Sequence, residues 1–433
     1  MKTQIYICFF IFFYLNIFSC KPLENTFKSF VDDDEIATIT TDNETELEAA
    51  ISILNKKGGT IYIDTAVINI QNSRLVLSGT ISGGIIGLRQ FNGEYPRISF
   101  LNSQTLREQS GISVDGSNKF IEYIIVEHSL THGIKVDGSN NILDHIISRY
   151  NSGSGFLIYG NFNNLNYCYS YRNFALEEDS SDGDGFKIGG ETNIVLNYCF
   201  AWDNGNNGFN YVRLLNSSDL SYLHSGSWNN GNIMVFIGKY DYDNGAPLDK
   251  NLWTIREMIK YDENFASNYY KKLFAANGAR IHGIPLNIWI PRMTSIMRGE
   301  GFVFGNLNNS QTIDVKRSSF YNVAFDNKAG GFVDNYNHRY NAFVTDCVSF
   351  NNGINFKLPY YTLTRWSNNW SWNSKNKEQL NGKASLLKPK KVDSAQRTFY
   401  TVKTQIINAV YENMFPDEVN FDKAINGLKK LVN

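Results

Sequence analysis

The sequence predicts an all-β fold: a right-handed parallel β-helix solenoid with an N-terminal capping helix, a helical insertion and a C-terminal helical segment. Two observations predict it. A glycine followed by an apolar residue returns at coil spacing: Gly111-Ile112, Gly133-Ile134 and Gly155-Phe156 lie 22 residues apart, and Gly185-Phe186 and Gly208-Phe209 follow after 30 and 23. One supersecondary unit repeated at that period is a coil that buries its apolar face only by stacking on its neighbours. Turn residues also recur between those marks, in Gly116-Ser117-Asn118, Gly138-Ser139-Asn140, Tyr171-Arg172-Asn173, Trp202-Asp203-Asn204, Phe325-Asp326-Asn327 and Phe350-Asn351-Asn352. Asparagine tolerates left-handed backbone and, at corresponding turns, can stack into a hydrogen-bonded ladder.

The remaining elements follow in order. Residues 1–20 open with Lys2 and run almost wholly apolar from Ile5 to Phe18, ending in Ser19-Cys20. The run is short for a membrane span, and a small residue before a cysteine is the pattern of a lipoprotein-type signal peptide, with Cys20 as the lipidated residue. Residues 21–36, with Asp32, Asp33, Asp34 and Glu35 in succession, read as a flexible tether. Localisation is then exported, as an outer-membrane or cell-surface lipoprotein, with a periplasmic or secreted protein as the alternative.

Residues 37–397 form the β-helix. Asn43 to Lys57 carries Leu47, Ala50, Ile51 and Leu54 on one stripe and precedes Gly58-Gly59-Thr60-Ile61-Tyr62-Ile63, which predicts a helix covering the open end and then the first strand. The repeat breaks at about 239–298, where helical spacing marks an insertion with Trp253, Trp289 and several cations. Residues 398–433 carry helical spacing in Ile406, Val410 and Met414 and are expected to cap the other end. Cys168, Cys199 and Cys347 fall in register and read as core residues, because nothing near them has zinc-ligand spacing.

Composition bounds the partners. The net charge is −1, which supplies no basic stripe for a phosphate backbone, so nucleic acid is excluded. Aromatics make up 14% of the chain, which suits stacked strands and also suits sugar binding, where an aromatic face covers a sugar ring. The expected partner is an acidic polysaccharide or oligosaccharide. Membrane contact would come only through the lipid anchor, and a solenoid with capped ends is expected to be a monomer.

Four segments in succession carry a more specific signal: Ser181-Asp182-Gly183-Asp184-Gly185-Phe186-Lys187, Ala201-Trp202-Asp203-Asn204-Gly205-Asn206-Asn207-Gly208-Phe209-Asn210, Gly299-Glu300-Gly301-Phe302-Val303-Phe304-Gly305, and Ala324-Phe325-Asp326-Asn327-Lys328-Ala329-Gly330-Gly331-Phe332. The series resembles polysaccharide lyase family 9, from about Gly111 to Lys357 apart from the insertion. The resemblance implies pectate or rhamnogalacturonan lyase chemistry: a base removes the C5 proton of a uronic acid, the C4 oxygen leaves, and a cation, usually calcium, neutralises the carboxylate. It also implies an aspartate and three further carboxylates as metal ligands, and a lysine base in the third segment.

This chain departs from that pattern. Asp184 matches the first ligand, but Asn206, Asn207 and Asn210 stand where the other three carboxylates would be, so calcium affinity should fall steeply and no other cofactor is implied. Val303 occupies the base position and cannot take a proton. Strand alternation turns Phe186 and Ile188 inward and Lys187 outward, beside Asp184. Lys187 and Asp184 are therefore the candidate catalytic residues, Lys187 either as a relocated base or as the carboxylate's counter-charge. If it is the counter-charge, Lys239, Arg280, His282, Tyr211 and His338 are candidate bases. Asn206, Asn207, Asn210, Arg213, Lys239, Arg280, His282, Arg298 and Arg339 are candidate substrate contacts.

Two other readings stay open: a glycoside hydrolase using carboxylates among Asp182, Asp184, Asp203, Glu300 and Asp334, and a surface glycan-binding protein that has lost the base. His132 and His224 read as structural.

Overall fold

The structure is a computed structural model. It describes residues 35–71, 74–100, 110–129, 131–151, 153–173, 183–189, 193–212, 219–231, 299–305, 316–334, 341–359, 362–381 and 384–388, the backbone of 280–281 and 284–285, and parts of a helical segment between 396 and 407. Cys20 and the signal segment, the tether up to residue 34, most of the insertion and everything after residue 407 lie outside the described residues.

Three parallel sheets of 11, 10 and 10 strands wind into a right-handed solenoid. A typical coil runs through Lys119–Glu122 in the first sheet, Ile125–Glu127 in the second and Ile134–Val136 in the third, before Ile142–Asp144 begins the next coil. The helix α1 (Glu44–Lys57) closes the N-terminal end. It starts where the Asn43 side chain accepts the Glu46 N–H at 3.1 Å and stops where Gly58 turns to φ 77°. Leu47, Ala50, Ile51 and Leu54 are buried over the first coils, as their spacing predicts. The first strand, Glu35–Ile39, begins at the end of the stretch read as tether.

Register is kept by ladders of like residues. Inside the third sheet Phe156, Phe186, Phe209, Phe302, Phe332 and Phe356 stack face to face with ring centroids 4.6 to 5.1 Å apart, one ring per coil. At the turn after the second sheet, Asn151, Asn173, Asn204, Asn230, Asn327 and Asn352 pass amide hydrogen bonds up the stack at 2.8 to 3.1 Å. Asn118 and Asn140 share the residue type but belong to another corner, where both have positive φ. The glycines of the repeat are dictated by close approach. A Cβ on Gly155 would meet Ser170 Oγ at 2.0 Å and the Gly185 carbonyl oxygen at 3.0 Å, and Gly208 is enclosed in the same way.

Cys168, Cys199 and Cys347 are buried and free, each giving its thiol to a backbone carbonyl of an earlier coil. Burial pushes the Cys347 thiol up to about 12, which suits a core residue and not a nucleophile. The two histidines read as structural are so placed. His132 Nδ1 accepts the Ser154 N–H at 3.0 Å, and His224 stacks between Tyr198 and Tyr321.

Most of the segment expected to cap the other end, residues 398–433, lies outside the described residues. Phe399 and Ile406 are buried on the outer face of the second sheet, with Phe399 stacked on Trp372 at 5.0 Å and Lys403 paired with Asp326. The outer face of that sheet is unusually aromatic, with Tyr169, Phe200, Trp202, Trp228, Phe325 and Phe350, and it needs such a cover.

Candidate active site

The outward face of the third sheet is where the sequence-predicted residues converge. Strand pairing puts Ser113, Lys135, Leu157, Lys187, Asn210, Val303, Val333 and Lys357 in one row along the solenoid axis, one residue per coil. Lys187 is in register with Leu157 on one side and Asn210 on the other. Val303 lies two strands further on, roughly 10 Å away. Lys187 is thus on the same face as the family's base position, on an earlier coil, as strand alternation predicts.

Asp184 is buried with no exposed surface, and its two oxygens accept from N–H donors of the next coil. Oδ1 accepts from Asn206 Nδ2 and from the Asn207 backbone N–H, and Oδ2 accepts from Asn210 Nδ2, all at 2.9 Å. Asn207 Oδ1 in turn accepts the Glu300 backbone N–H at 2.9 Å, which ties in a third coil. Such charge-assisted bonds compensate the burial of a carboxylate.

This set does not fit a calcium ion. Calcium takes six to eight oxygens, several from carboxylates, whereas the groups turned on Asp184 are donors, and one of them is a backbone N–H that can be nothing else. Among the described residues no three His, Cys, Asp or Glu side chains stand close enough to hold a metal.

Other candidates fall elsewhere. Tyr211 is buried behind Gly305, with the Arg317 guanidinium 4.4 Å from its ring centroid, so it has no access to a substrate in the groove and is withdrawn as a base. Asp203 sits at a left-handed corner, φ 56°, bonded to Asn229 and 4.0 Å from Arg172, away from the groove row. Glu300 and Asp334 are almost wholly buried. Arg280 lies in a two-residue strand whose side chains are not described, and Asp182, Arg213, Lys239, His282, Arg298, His338 and Arg339 lie outside the described residues. Lys135 belongs to the same row as Lys187 and was missed. Counting back two coils from Lys187 at strand parity would have found it.

Comparison with known proteins agrees with this fold. Residues 30–245 match the model of the Pel9A-like right-handed β-helix region. Among solved structures, pectate lyase Pel9A is similar over 83% of this chain and 80% of its own, with a TM-score of 0.56 and 16% identity. A rhamnogalacturonan lyase is similar over 82% of this chain and 86% of its own, with a TM-score of 0.50 and 13% identity. No curated protein matches. The strand topology, the repeat and these likenesses together make this chain a polysaccharide lyase-like right-handed parallel β-helix of the Pel9A-like kind.

Proposed function

We propose that this protein is a polysaccharide lyase that cleaves a uronic-acid-containing, pectin-like polysaccharide by β-elimination in the groove of the third sheet, without calcium, with Lys187 as the residue on which the step depends. The observation that carries this is the place of Lys187: an amine on the outward row, in register with Asn210, beside the Asp184 network that stands where the fold's relatives by resemblance hold a metal.

In its neutral form the Lys187 amine takes the proton from C5 of the uronate. The C5–H electrons form the C4–C5 double bond, the C4–O bond breaks, and the departing oxygen is protonated to become the hydroxyl of the second product. The charge that builds on the carboxylate during this step must be met by N–H donors and cations fixed in the groove, because an enolate left in an uncompensated site is too costly.

One observation favours a second role for Lys187 in the same reaction. A buried carboxylate three residues before it, held by three donors, favours the charged ammonium, and a charged Lys187 would neutralise the substrate's carboxylate while another residue takes the proton. Lys187→Arg separates the two, since arginine keeps the charge but cannot serve as the base. Near-ultraviolet absorbance of the unsaturated product, across a panel of uronic acid polysaccharides in chelator, tests the reading. Product from wild type and none from Lys187→Ala supports it. Cleavage that yields saturated ends points to a hydrolase, and glycan binding with no cleavage points to a binding protein.

Export and lipidation at Cys20 complete the proposal. Release of a Cys20→Ala variant from the membrane fraction of its host is the expected result.

A further inference from the structure

Beside the Lys187 row runs a second outward row, two residues further along each strand: Asp115, Asp137, Tyr159 and Gly189. The backbone bonds from Asp137 N–H to Val114 O, Tyr159 N–H to Val136 O and Gly189 N–H to Ile158 O keep it in step. Tyr159 is the aromatic residue of this row, and 41% of it is exposed, although a ring of that size gains by burial. Its position is fixed from both neighbouring coils. The ring edge lies over Gly189 so closely that a Cβ there would meet its Cε1 at 2.5 Å and its Cδ1 at 2.7 Å. On the other side the Lys135 ammonium lies 6.0 Å from the ring centroid.

Lys135 and Lys187 flank Leu157 in the first row, two strand spacings apart, so their backbones are separated by roughly 10 Å along the axis. That is close to the length of a disaccharide in an extended glycan. Beyond Asn210 the row changes character: Val303 and Val333 are each 1% exposed and carry no charge. The row's next cation is Lys357, three coils past Asn210, so Lys135, Lys187 and the exposed ring form a separate group on the coil of Asp184 and the two coils before it.

We infer that Lys135, Tyr159 and Lys187 form a substrate subsite for two successive uronic acid residues, with a sugar ring stacked on Tyr159 and the carboxylates met by the two lysines. This deepens the proposed function and rests on its choice of face and substrate class. Lys135 is paired with Asp137 at 2.6 Å, but both side chains are about one-third exposed, and an ion pair in that setting is worth little, so a uronate carboxylate can take Asp137's place. Gly189 is explained as the residue that leaves room for the ring. The subsite extends the groove toward the N-terminal end of the solenoid, so the longer part of a bound chain lies over the coils of Lys135 and Ser113.

Calorimetric titration of the full chain with hexagalacturonate, and with the same oligosaccharide reduced at its carboxyl groups, tests this directly. Tyr159→Ala is expected to weaken binding of both ligands by about tenfold or more, the loss of one stacked anchor. Lys135→Gln is expected to weaken only the charged ligand and to lower the salt dependence of its binding. Gly189→Val, which displaces the ring without removing it, should act in the same direction as Tyr159→Ala. Phe162→Ala, an exposed aromatic at the neighbouring corner, should have no effect.

Unchanged affinity in Tyr159→Ala, or no binding of hexagalacturonate by wild type, overturns the subsite. The assay reads binding and not turnover. Tyr159-dependent binding without unsaturated product would keep the subsite and sink the lyase reading, and unsaturated product with Tyr159-independent binding would do the reverse.

Discussion

Lys187 is paired in register with Asn210 of the next coil, and the Asn210 amide donates to Asp184 Oδ2 at 2.9 Å. One outward cation is thereby tied, through one strand contact and one hydrogen bond, to a carboxylate that has no exposure to solvent. Where the resemblance implies a metal cage of four carboxylates, this chain has one carboxylate and a shell of donors. The electrostatic consequence is a buried carboxylate whose lost hydration is replaced by neutral N–H donors.

The first prediction concerns the metal. Wild-type melting temperature should be the same in millimolar calcium and in chelator. Replacing Asn206, Asn207 and Asn210 together by aspartate crowds four carboxylates and should lower the melting temperature in chelator. Calcium should then restore it, by about 2.7 kcal/mol once calcium reaches a hundred times its dissociation constant. A calcium-dependent rise in the wild-type protein would contradict the account.

The second concerns the brace around Asp184. In Asp184→Ala three donors lose their acceptor: Asn206 Nδ2, the Asn207 N–H and Asn210 Nδ2. Each buried donor left unpaired costs on the order of 1–3 kcal/mol, so denaturant unfolding should show a loss of several kcal/mol. A variant as stable as wild type would mean the network is not closed as described.

The third concerns the asparagine ladder. Asn230 donates to Ala201 O at 3.2 Å, Ser227 Oγ at 3.0 Å and Asn327 Oδ1 at 2.9 Å, and it accepts from Asn204. Asn230→Ala should destabilise by about 2 kcal/mol or more, because the coils on both sides lose partners. Asn118→Ala, at the exposed corner, should cost far less. Equal losses at the two positions would remove the ladder's special status.

The fourth is a pair of opposed pH effects. Burial, reinforced by the neighbouring Asp144, pushes Glu122 up from 4.5 to about 7. The folded state then holds a proton that the unfolded state has released, so this group lowers stability as pH rises from about 4.5 to 7. Burial, with help from Arg149 and Arg97 and against Glu127, pushes His128 down from 6.5 to about 4. Here the unfolded state binds the extra proton, so stability is lost as pH falls from about 6.5 to 4. Urea unfolding across this range should show Glu122→Gln removing the first slope and His128→Asn the second. A variant that leaves its slope intact would refute the corresponding assignment.

Much of the fold was legible because a solenoid writes its period into the chain. Gly111, Gly133, Gly155, Gly185 and Gly208 are spaced by the coil, and close approach between neighbouring coils forbids a Cβ at each. The outward placement of Lys187 followed from strand parity alone. What parity cannot give is depth. Tyr211 shares the site's neighbourhood in sequence but is enclosed by Gly305 and Arg317, from a coil more than ninety residues away. The asparagine turns looked like one series, although Asn118 and Asn173 occupy different corners: Asn118 is itself left-handed, φ 60°, whereas at the other corner the left-handed residue is Arg172, φ 56°, and Asn173 serves the amide hydrogen bonds of the ladder. The C-terminal segment carried a helical period, and its docking on Trp372 and Phe350 depends on an aromatic face assembled from many coils.

The most direct measurement is near-ultraviolet absorbance while wild type and Lys187→Ala digest a pectic polysaccharide in chelator. The account predicts a steady rise for wild type that calcium does not enhance, and a loss of at least a hundredfold in the variant, the scale of a positioned proton-transfer group. A wild-type rise that disappears in chelator, or a Lys187→Ala rate equal to wild type, would contradict it.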